Sequence, residues 1–486
     1  MKFKGKALKF QEYFKIVKYQ KRYDKERGVF KINVSYETTV YQTPRTLKVA
    51  EAFGIGTERR KLTLYDNVEL KIAPNDIVYI TGDSGSGKSV LLRAMKKDLG
   101  DEAIDIDEVE VDPDKPIVET VGETFDEALE LLSRVGLNDA YLFLRRYREL
   151  SEGQKYRYRL AKLMESGRQW WIMDEFCSTL DRDTAKIVAF NVQKQARRTG
   201  KAVIAATTHT DLLEDLAPSV HIHKGWGKRI EVKYYPNRLN EVCSVTKDMR
   251  VEEGTLSDYK RLAEFHYRTF THPPPLKIFR LVKRDEVVGV ILYSYPPPNV
   301  YGRARFFGRR LSIREVNQKL ANIARVIIHP KYRSIGLGIR LVHDTLPLVG
   351  KPYIETTAVM AKYNPFFEKA GMQMIAVRKP SKTIMKAVEK LGSLGFKRYL
   401  LASIEANIAT LNELSGEEVK EVRQALLNVG RNYYKRLTTF KKVYPRKEEF
   451  QELLGKADNE TLAKVIARLA VLAQEKVYLI WEKKHF

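Results

Sequence analysis

The stretch Gly82-Asp83-Ser84-Gly85-Ser86-Gly87-Lys88-Ser89 decides the fold of the first half of this chain. It follows an apolar run, residues 76–81, that reads as a strand, and precedes residues 89–99, whose apolar spacing predicts a helix. A strand, a glycine-rich turn and a helix in that order form a phosphate-binding loop. Glycines let backbone N–H groups wrap phosphate oxygens, a lysine reaches the β- and γ-phosphates, and the hydroxyl of Ser89 can ligate Mg²⁺. The pattern predicts a site for ATP with Mg²⁺, at the end of a parallel sheet.

Working outward, four further segments stand at workable spacings: Leu150-Ser151-Glu152-Gly153-Gln154, the run 170–175 ending in Asp174-Glu175, Ser178-Thr179-Leu180-Asp181, and Thr207-Thr208-His209. The apolar residues before Asp174 place its carboxylate at the end of a buried strand, where it can hold the metal through water. Glu175 beside it is suited to polarise an attacking water. Strands expected over 169–173, 202–206 and 220–223 alternate with helical stretches, which argues for a parallel sheet flanked by helices and ending after residue 223. Together the five segments resemble the ABC ATPase family. The resemblance implies that Ser151, Gly153 and Gln154 belong to the signature loop, Asp181 to the D-loop, and that His209 is the switch histidine. It also implies an ATP-dependent head-to-tail homodimer in which one signature loop caps ATP held by the other copy. Phe53 is a candidate for stacking on adenine, or an ordinary apolar residue. Two departures stand out: Glu119, a further candidate metal ligand, lies where the family has the Q-loop glutamine, and the helical segment before Leu150 is short. Both argue against a transport role and against a membrane subunit.

A second pattern lies further on, Ile327-Ile328-His329-Pro330-Lys331-Tyr332-Arg333-Ser334-Ile335-Gly336-Leu337-Gly338. It reads as a strand, a turn and a helix start, with glycines where the backbone must approach a pyrophosphate. The N–H groups of residues 334–338 and the helix dipole would bind that anion, with Arg333 assisting. This resembles the acetyl-CoA motif of the GNAT acetyltransferases, and residues 353–357 and 364–372 resemble that family's next strand and helix-to-glycine segment. The resemblance implies that Ile328, Arg333, Ser334, Ile335, Gly336, Leu337 and Gly338 hold acetyl-CoA. Where many members carry a tyrosine that protonates the thiolate, this chain has Phe367. Tyr363, one helical turn earlier, is either a substitute acid or a packing aromatic. Glu355 is either a base for an amine nucleophile or a buried, salt-bridged carboxylate. His329, before a proline, reads as shaping the turn.

The 486 residues are enough for two or three domains. The reading is α/β and multidomain: a basic extension (1–45), an ABC ATPase domain with a parallel-rich sheet (46–235), a GNAT-like mixed α/β domain (240–380), a helical region (381–475) and a last strand (476–486). The extension reads as a helix over 8–25 and a strand over 29–41. The acidic stretch 101–114 alternates like a strand, further strands are expected over 245–251 and 324–329, and a helix over 257–269. The last strand is expected to complete the second domain's sheet, which would make the helices before it an insertion. No apolar run approaches the length that spans a bilayer, and the lysine-rich start has no signal-peptide core, so a cytoplasmic location is expected. Two cysteines, Cys177 and Cys243, make neither a disulfide framework nor a metal-ligand pattern.

The net charge of +25 is uneven. Residues 231–400 carry 31 Lys and Arg against 14 Asp and Glu, whereas residues 51–230 carry 27 against 31. Positive charge around the second pattern favours a polyanionic partner, nucleic acid with RNA preferred. Basic-aromatic stretches at 301–310 and 432–442 could hold phosphates and stack on bases. The tRNA cytidine acetyltransferases similarly join a helicase-like ATPase to a GNAT domain. Three readings stay open: an ATP-driven acyltransferase acting on RNA, a nucleic-acid- or ribosome-binding ATPase with a non-catalytic GNAT domain, and a protein N-acetyltransferase.

Overall fold

A computed structural model describes residues 14–38, 41–57, 60–266, 272–359, 361, 364–438 and 445–483. The chain divides into two compact units. The first is Met1–Thr271 with Ile278–Ile291 and Val326–Leu341; the second is His272–Lys277, Leu292–Arg325 and Val342–Phe486.

The first unit opens on an antiparallel three-stranded sheet, β1 (Phe14–Asp24), β2 (Val29–Thr38) and β3 (Arg60–Lys71). The helix expected over 8–25 is therefore corrected: residues 14–24 are a strand, and 8–13 lie outside the described residues. The lysines at 15, 18 and 21 recur every three residues, the spacing of one helix face, yet the segment pairs antiparallel with β2 through a bulge between Ile16 and Lys18, and Gly28 at φ 61° closes the hairpin. Tyr23 shows the consequence. It stacks on Phe30 at 4.3 Å and meets Trp170 edge-on at 5.6 Å, joining this sheet to the larger one.

That larger sheet has six strands, β4 (Ile77–Thr81), β5 (Ala103–Asp105), β6 (Trp170–Met173), β7 (Ala202–Ala206), β8 (Val220–Lys224) and β9 (Ile230–Tyr234), in the order β5-β6-β7-β4-β8-β9. The first five run parallel, and β4, β6 and β7 are buried throughout, as strands covered on both faces must be. Trp170 and Trp171 alternate between the apolar cores on its two faces. Two expectations fail here. The sheet does not end at residue 223, because Lys224 to Arg229 turn back and β9 pairs antiparallel with β8. The acidic stretch 101–114 contributes only Ala103–Asp105, since Asp105 caps the 3-10 turn Ile106–Glu108 and ends the strand.

The later strands are β10 (Met249–Glu253), β11 (Pro275–Lys283), β12 (Glu286–Ser294), β13 (Leu320–Ile328), β14 (Tyr353–Ala358), β15 (Gln373–Arg378) and β16 (Lys476–Glu482); in the first unit β10 pairs antiparallel with β11, and in the second β13 pairs in parallel with β14. The strand expected over 245–251 is displaced, because Ser244–Thr246 is a 3-10 turn, and β13 begins four residues before the expected start. The helix expected over 257–269 spans Leu256–Leu262 and passes into a 3-10 turn, Ala263–Phe265; residues 267–271 lie outside the described residues.

In the second unit, β16 enters antiparallel between β14 and β15, so the chain's end occupies an inner position. Six helices precede it: Lys382–Ser393, Ile404–Glu413, Gly416–Leu427, Arg431–Leu437, Lys447–Lys456 and Asn459–Leu472. Ser381, Ser403, Ser415 and Asp458 accept from the backbone at four of their starts. Their apolar faces close on one core that includes Leu391, Val422, Leu426, Phe450, Leu462 and Leu469. Among the described residues no helix is long and apolar enough to cross a membrane.

Candidate functional site

The buried strand β4 delivers the chain to Gly82, and the helix Lys88–Leu99 carries it away. The bend between them needs glycine on two counts. Gly82, Gly85 and Gly87 have φ of 142°, 76° and 107°, and a Cβ on Gly82 would sit 2.1 Å from the carbonyl oxygen of Lys224. Asp83, Ser84 and Gly85 are exposed, whereas Ser86 and Lys88 are buried and Ser89 is half-buried. Lys88 Nζ donates to the carbonyls of Gly82 and Asp83, each at 2.8 Å, so the ammonium sits inside the loop. Burial pulls Lys88 below the usual lysine range, while the charges of Glu175, Asp174 and Asp83 act against that. Those carboxylates are thus within electrostatic reach of the lysine. Ser86 Oγ is buried with no hydrogen-bond partner among the described residues. A hydroxyl so placed, an inward lysine and a glycine cradle fit a triphosphate.

Asp174 follows β6, and its Oδ1 accepts from the N–H of Glu175 at 3.0 Å. Glu175 and Cys177 both hold positive φ, 48° and 59°, and tight hydrogen bonds, Ser178 N to Glu175 O and Leu180 N to Cys177 O, fix the turn. Left-handed backbone at residues other than glycine is strained and persists only where neighbours impose it. Cys177 is fully buried, its thiol pushed up by burial, and its N–H is held by Tyr156 Oη at 3.1 Å; it is a packing residue. Tyr156 belongs to the helix Glu152–Glu165, which Ser151 caps in a reciprocal box with Gln154. A Cβ on Gly153 would lie 3.1 Å from Leu180 Cδ2, so the 150–154 and 178–181 segments pack together within one copy. His209 is half-buried, and its carbonyl accepts from Tyr79 Oη. Glu119 is exposed in a short 3-10 turn, and Phe53 is 75% exposed at the end of the helix Pro44–Phe53, none of whose residues is buried.

Sequence reasoning missed three neighbours of the loop. Tyr65 donates to the carbonyl of Gly87 at 2.9 Å. The buried Lys224 donates to the carbonyls of Gly225 at 2.8 Å and Gly227 at 2.5 Å, its ammonium 5.2 Å from the Tyr65 ring centre. Trp226 lies beside Gly85 yet is two-thirds exposed. The sequence signal for Trp226 is the pair of glycines that flank it, Gly225-Trp226-Gly227.

The second pattern folds as strand, turn and helix. The strand β13 leads to a 3-10 turn, Pro330–Tyr332, Ser334 and Gly336 adopt φ of 72° and 84°, and the helix Leu337–Thr345 follows, with Arg340 N donating to Gly336 O. A Cβ on Gly336 would meet nothing within 4 Å, so the turn is open there. Arg333 departs from its expected use. Its guanidinium donates to three backbone carbonyls, Ile328 and Asn138 at 2.9 Å and Phe265 at 3.1 Å, and burial pulls it below the usual arginine range. It braces the turn rather than facing an anion. His329 likewise shapes the turn: its Nδ1 accepts from Lys331 N, and its ring packs edge-on to Phe265.

In the second unit, Glu355 on β14 is fully buried. Arg303 grips both its oxygens, from Nε at 3.0 Å and Nη2 at 2.5 Å, and Tyr478 Oη donates to Oε2 at 2.9 Å. A carboxylate so engaged is a poor base, which decides for the salt-bridged reading. Phe367 is buried against Phe366, with ring centres 4.0 Å apart, and Tyr363 lies outside the described residues. Within 320–325 and 353–358, the parallel pairing of β13 with β14 covers Leu320–Tyr353, Ala321–Ile354 and Asn322–Glu355 and then stops. Past that point the Thr356 hydroxyl donates to Ile323 O at 3.1 Å.

No protein-family model matches the chain. The cytochrome c biogenesis ATP-binding export protein CcmA of Gluconobacter oxydans (strain 621H) is 30% identical over 185 residues, covering 33% of this chain and 84% of that protein. The protein of the same name from Ruegeria sp. (strain TM1040) is 30% identical over 181 residues, covering 33% and 85%. That of Paracoccus denitrificans (strain Pd 1222) is 43% identical over 91 residues, and the chain spans only 40% of its length. Among solved structures, the dimeric post-hydrolysis state of the ATP-binding cassette MJ0796 bound to ADP and Pi is 21% identical, with 36% of this chain and 93% of that chain covered and a TM-score of 0.30.

Proposed function

Through about a third of its length the chain belongs to the ATP-binding cassette ATPases, and from that premise we propose an ATP-driven acyl-CoA-dependent transferase acting on a nucleic acid, RNA in preference. In the ATPase part, Lys88 and the N–H groups of residues 82–89 hold the triphosphate, and Ser89 and Asp174 hold Mg²⁺, which supplies positive charge against the phosphates. Glu175 takes the role of polarising the attacking water and His209 of contacting the γ-phosphate side. Ser151, Gly153, Gln154 and Asp181 complete the site of a second copy in an ATP-dependent homodimer. The inward Lys88 and the unpartnered Ser86 hydroxyl support this reading of the loop.

The transferase part rests on one observation, within the second unit: the ladder between β13 and β14 stops after three residue pairs. Parallel strands that part leave main-chain N–H and C=O groups for an extended, amide-bearing ligand to pair with, as the pantetheine arm of acetyl-CoA is. In the first unit, the N–H groups of 334–338, with Gly336 in the left-handed region and open space beside it, suit a pyrophosphate. The positive balance of residues 231–400 supports a polyanionic acceptor.

A second reading is favoured by two described side chains of the second unit. Phe367 cannot donate a proton, and Glu355 is locked to Arg303. The same fold would then bind an acyl-CoA or a nucleic acid without catalysing transfer. Incubation with labelled acetyl-CoA and total RNA or total protein separates the readings. Label in RNA is the expected result, label in protein makes the chain a protein acetyltransferase, and CoA binding without label supports the non-catalytic reading. No CoA binding overturns the transferase altogether.

A further inference from the structure

Five polar side chains, Asp181, Asp183, Lys283, Lys331 and Tyr332, join the end of the Asp174–Asp181 loop to the turn Pro330–Tyr332, all inside the first unit. Lys331 Nζ lies 2.7 Å from Asp181 Oδ1 and 3.7 Å from Asp183 Oδ2. Asp183 Oδ2 also accepts from Lys283 Nζ at 2.5 Å and from Tyr332 Oη at 3.0 Å. The Tyr332 ring is buried, with the ammonium groups of Lys283 and Lys331 5.3 Å and 5.7 Å from its centre. About two helical turns further along, Asn191 Nδ2 donates to Ser334 Oγ at 2.9 Å.

Asp181 is not an ordinary surface aspartate. It is the N-cap of the helix Arg182–Thr199, accepting from Thr184 N at 3.3 Å and Thr184 Oγ1 at 2.6 Å. It is also the far anchor of a short loop whose near anchor is β6 and whose backbone is left-handed at Glu175 and Cys177. Such a loop keeps its shape only if both anchors hold. The ammonium groups offset burial and hold both Asp181 and Asp183 below the usual carboxylate range, so the charges persist at neutral pH.

We propose that Lys331 is a positioning residue for ATP hydrolysis: by holding Asp181 it fixes the loop that carries Asp174 and Glu175, so that turnover depends on the Pro330–Tyr332 turn. Lys331 pairs with Asp181 and, at longer range, with Asp183, and its effect on the loop runs through Asp181. The inference goes beyond the transferase reading and does not rest on it, because nothing in it requires an acyl-CoA.

The test measures steady-state ATP hydrolysis by the full chain, without acyl-CoA, for Lys331→Met, Lys331→Arg, Asp181→Asn and the Lys331→Met/Asp181→Asn double variant. A displaced reacting group costs rate more than binding, so Lys331→Met should lower kcat by about tenfold with KM for ATP changed by less than about twofold. Lys331→Arg should restore most of the rate. The double variant should be no slower than the slower single variant, the mark of two residues acting as one unit. Unchanged melting of Lys331→Met confirms an intact fold, as expected for a half-exposed pair. The proposal is overturned if Lys331→Met keeps its kcat within about twofold, or if the losses of the two single variants multiply in the double.

Discussion

At the scale of single residues, Gly82 and Glu175 carry the sharpest consequences. A Cβ at position 82 would press on a backbone carbonyl, which cannot swing aside as a side chain could, and it would do so at a positive φ. Gly82→Ala should therefore cost about 1–3 kcal/mol of stability and abolish nucleotide binding, read from denaturant midpoints and from titration with a fluorescent ATP analogue. A variant that still binds ATP normally would contradict the placement of the loop. Glu175→Gln keeps the size of the side chain and removes its charge. Turnover should fall about a hundredfold while ATP stays bound, and size-exclusion chromatography with ATP should then show a dimer. Hydrolysis at the normal rate would remove Glu175 from the reaction.

At the scale of elements, strands β4 and β8 are tied beyond their ladder. Thr81 Oγ1 lies 2.9 Å from His221 Nε2 and 3.2 Å from His223 Nδ1. Burial holds His221 below the ordinary histidine value, with the nearby charges of His223 and Lys233 adding to the effect. The folded protein thus binds fewer protons than the unfolded chain at and below about pH 6.5, so this contribution to stability is present above that pH and is lost as pH falls toward and through the folded value. Urea midpoints should drop between about pH 7.5 and 5.5, and His221→Gln should flatten that slope. Equal slopes for the two proteins would count against it. Elements also show where the sequence was readable. Strands β4, β6 and β7 announce themselves because strands covered on both faces are continuous apolar runs. Strand β1 did not, because its lysines at 15, 18 and 21 recur every three residues, a helical spacing, and a bulge shifts the strand's register.

At the scale of the whole molecule, the second unit is closed by residues far apart in sequence. Strand β16 pairs on both sides, and its Tyr478 reaches Glu355, which Arg303 neutralises. Arg303→Ala would leave a fully buried carboxylate without its cation, a change that costs about 3–5 kcal/mol. Replacing Glu355 as well, in Arg303→Met/Glu355→Gln, should recover part of that loss, and thermal melting of the two proteins checks it. If the single variant melts like the parent, the ion pair is not what holds this part together.

The sequence alone determined the phosphate loop, the order of the segments around it and the strand-turn-helix near residue 336, because each depends on short-range geometry that only certain residue types permit. It left Glu355 open between a base and a paired carboxylate, and it assigned Arg333 to an anion. Only the tertiary structure decided those points, since a charged side chain's role is set by what surrounds it, and the carbonyls around Arg333 and the guanidinium on Glu355 come from distant stretches of chain. The link between Lys331 and Asp181, separated by 150 positions, was invisible for the same reason.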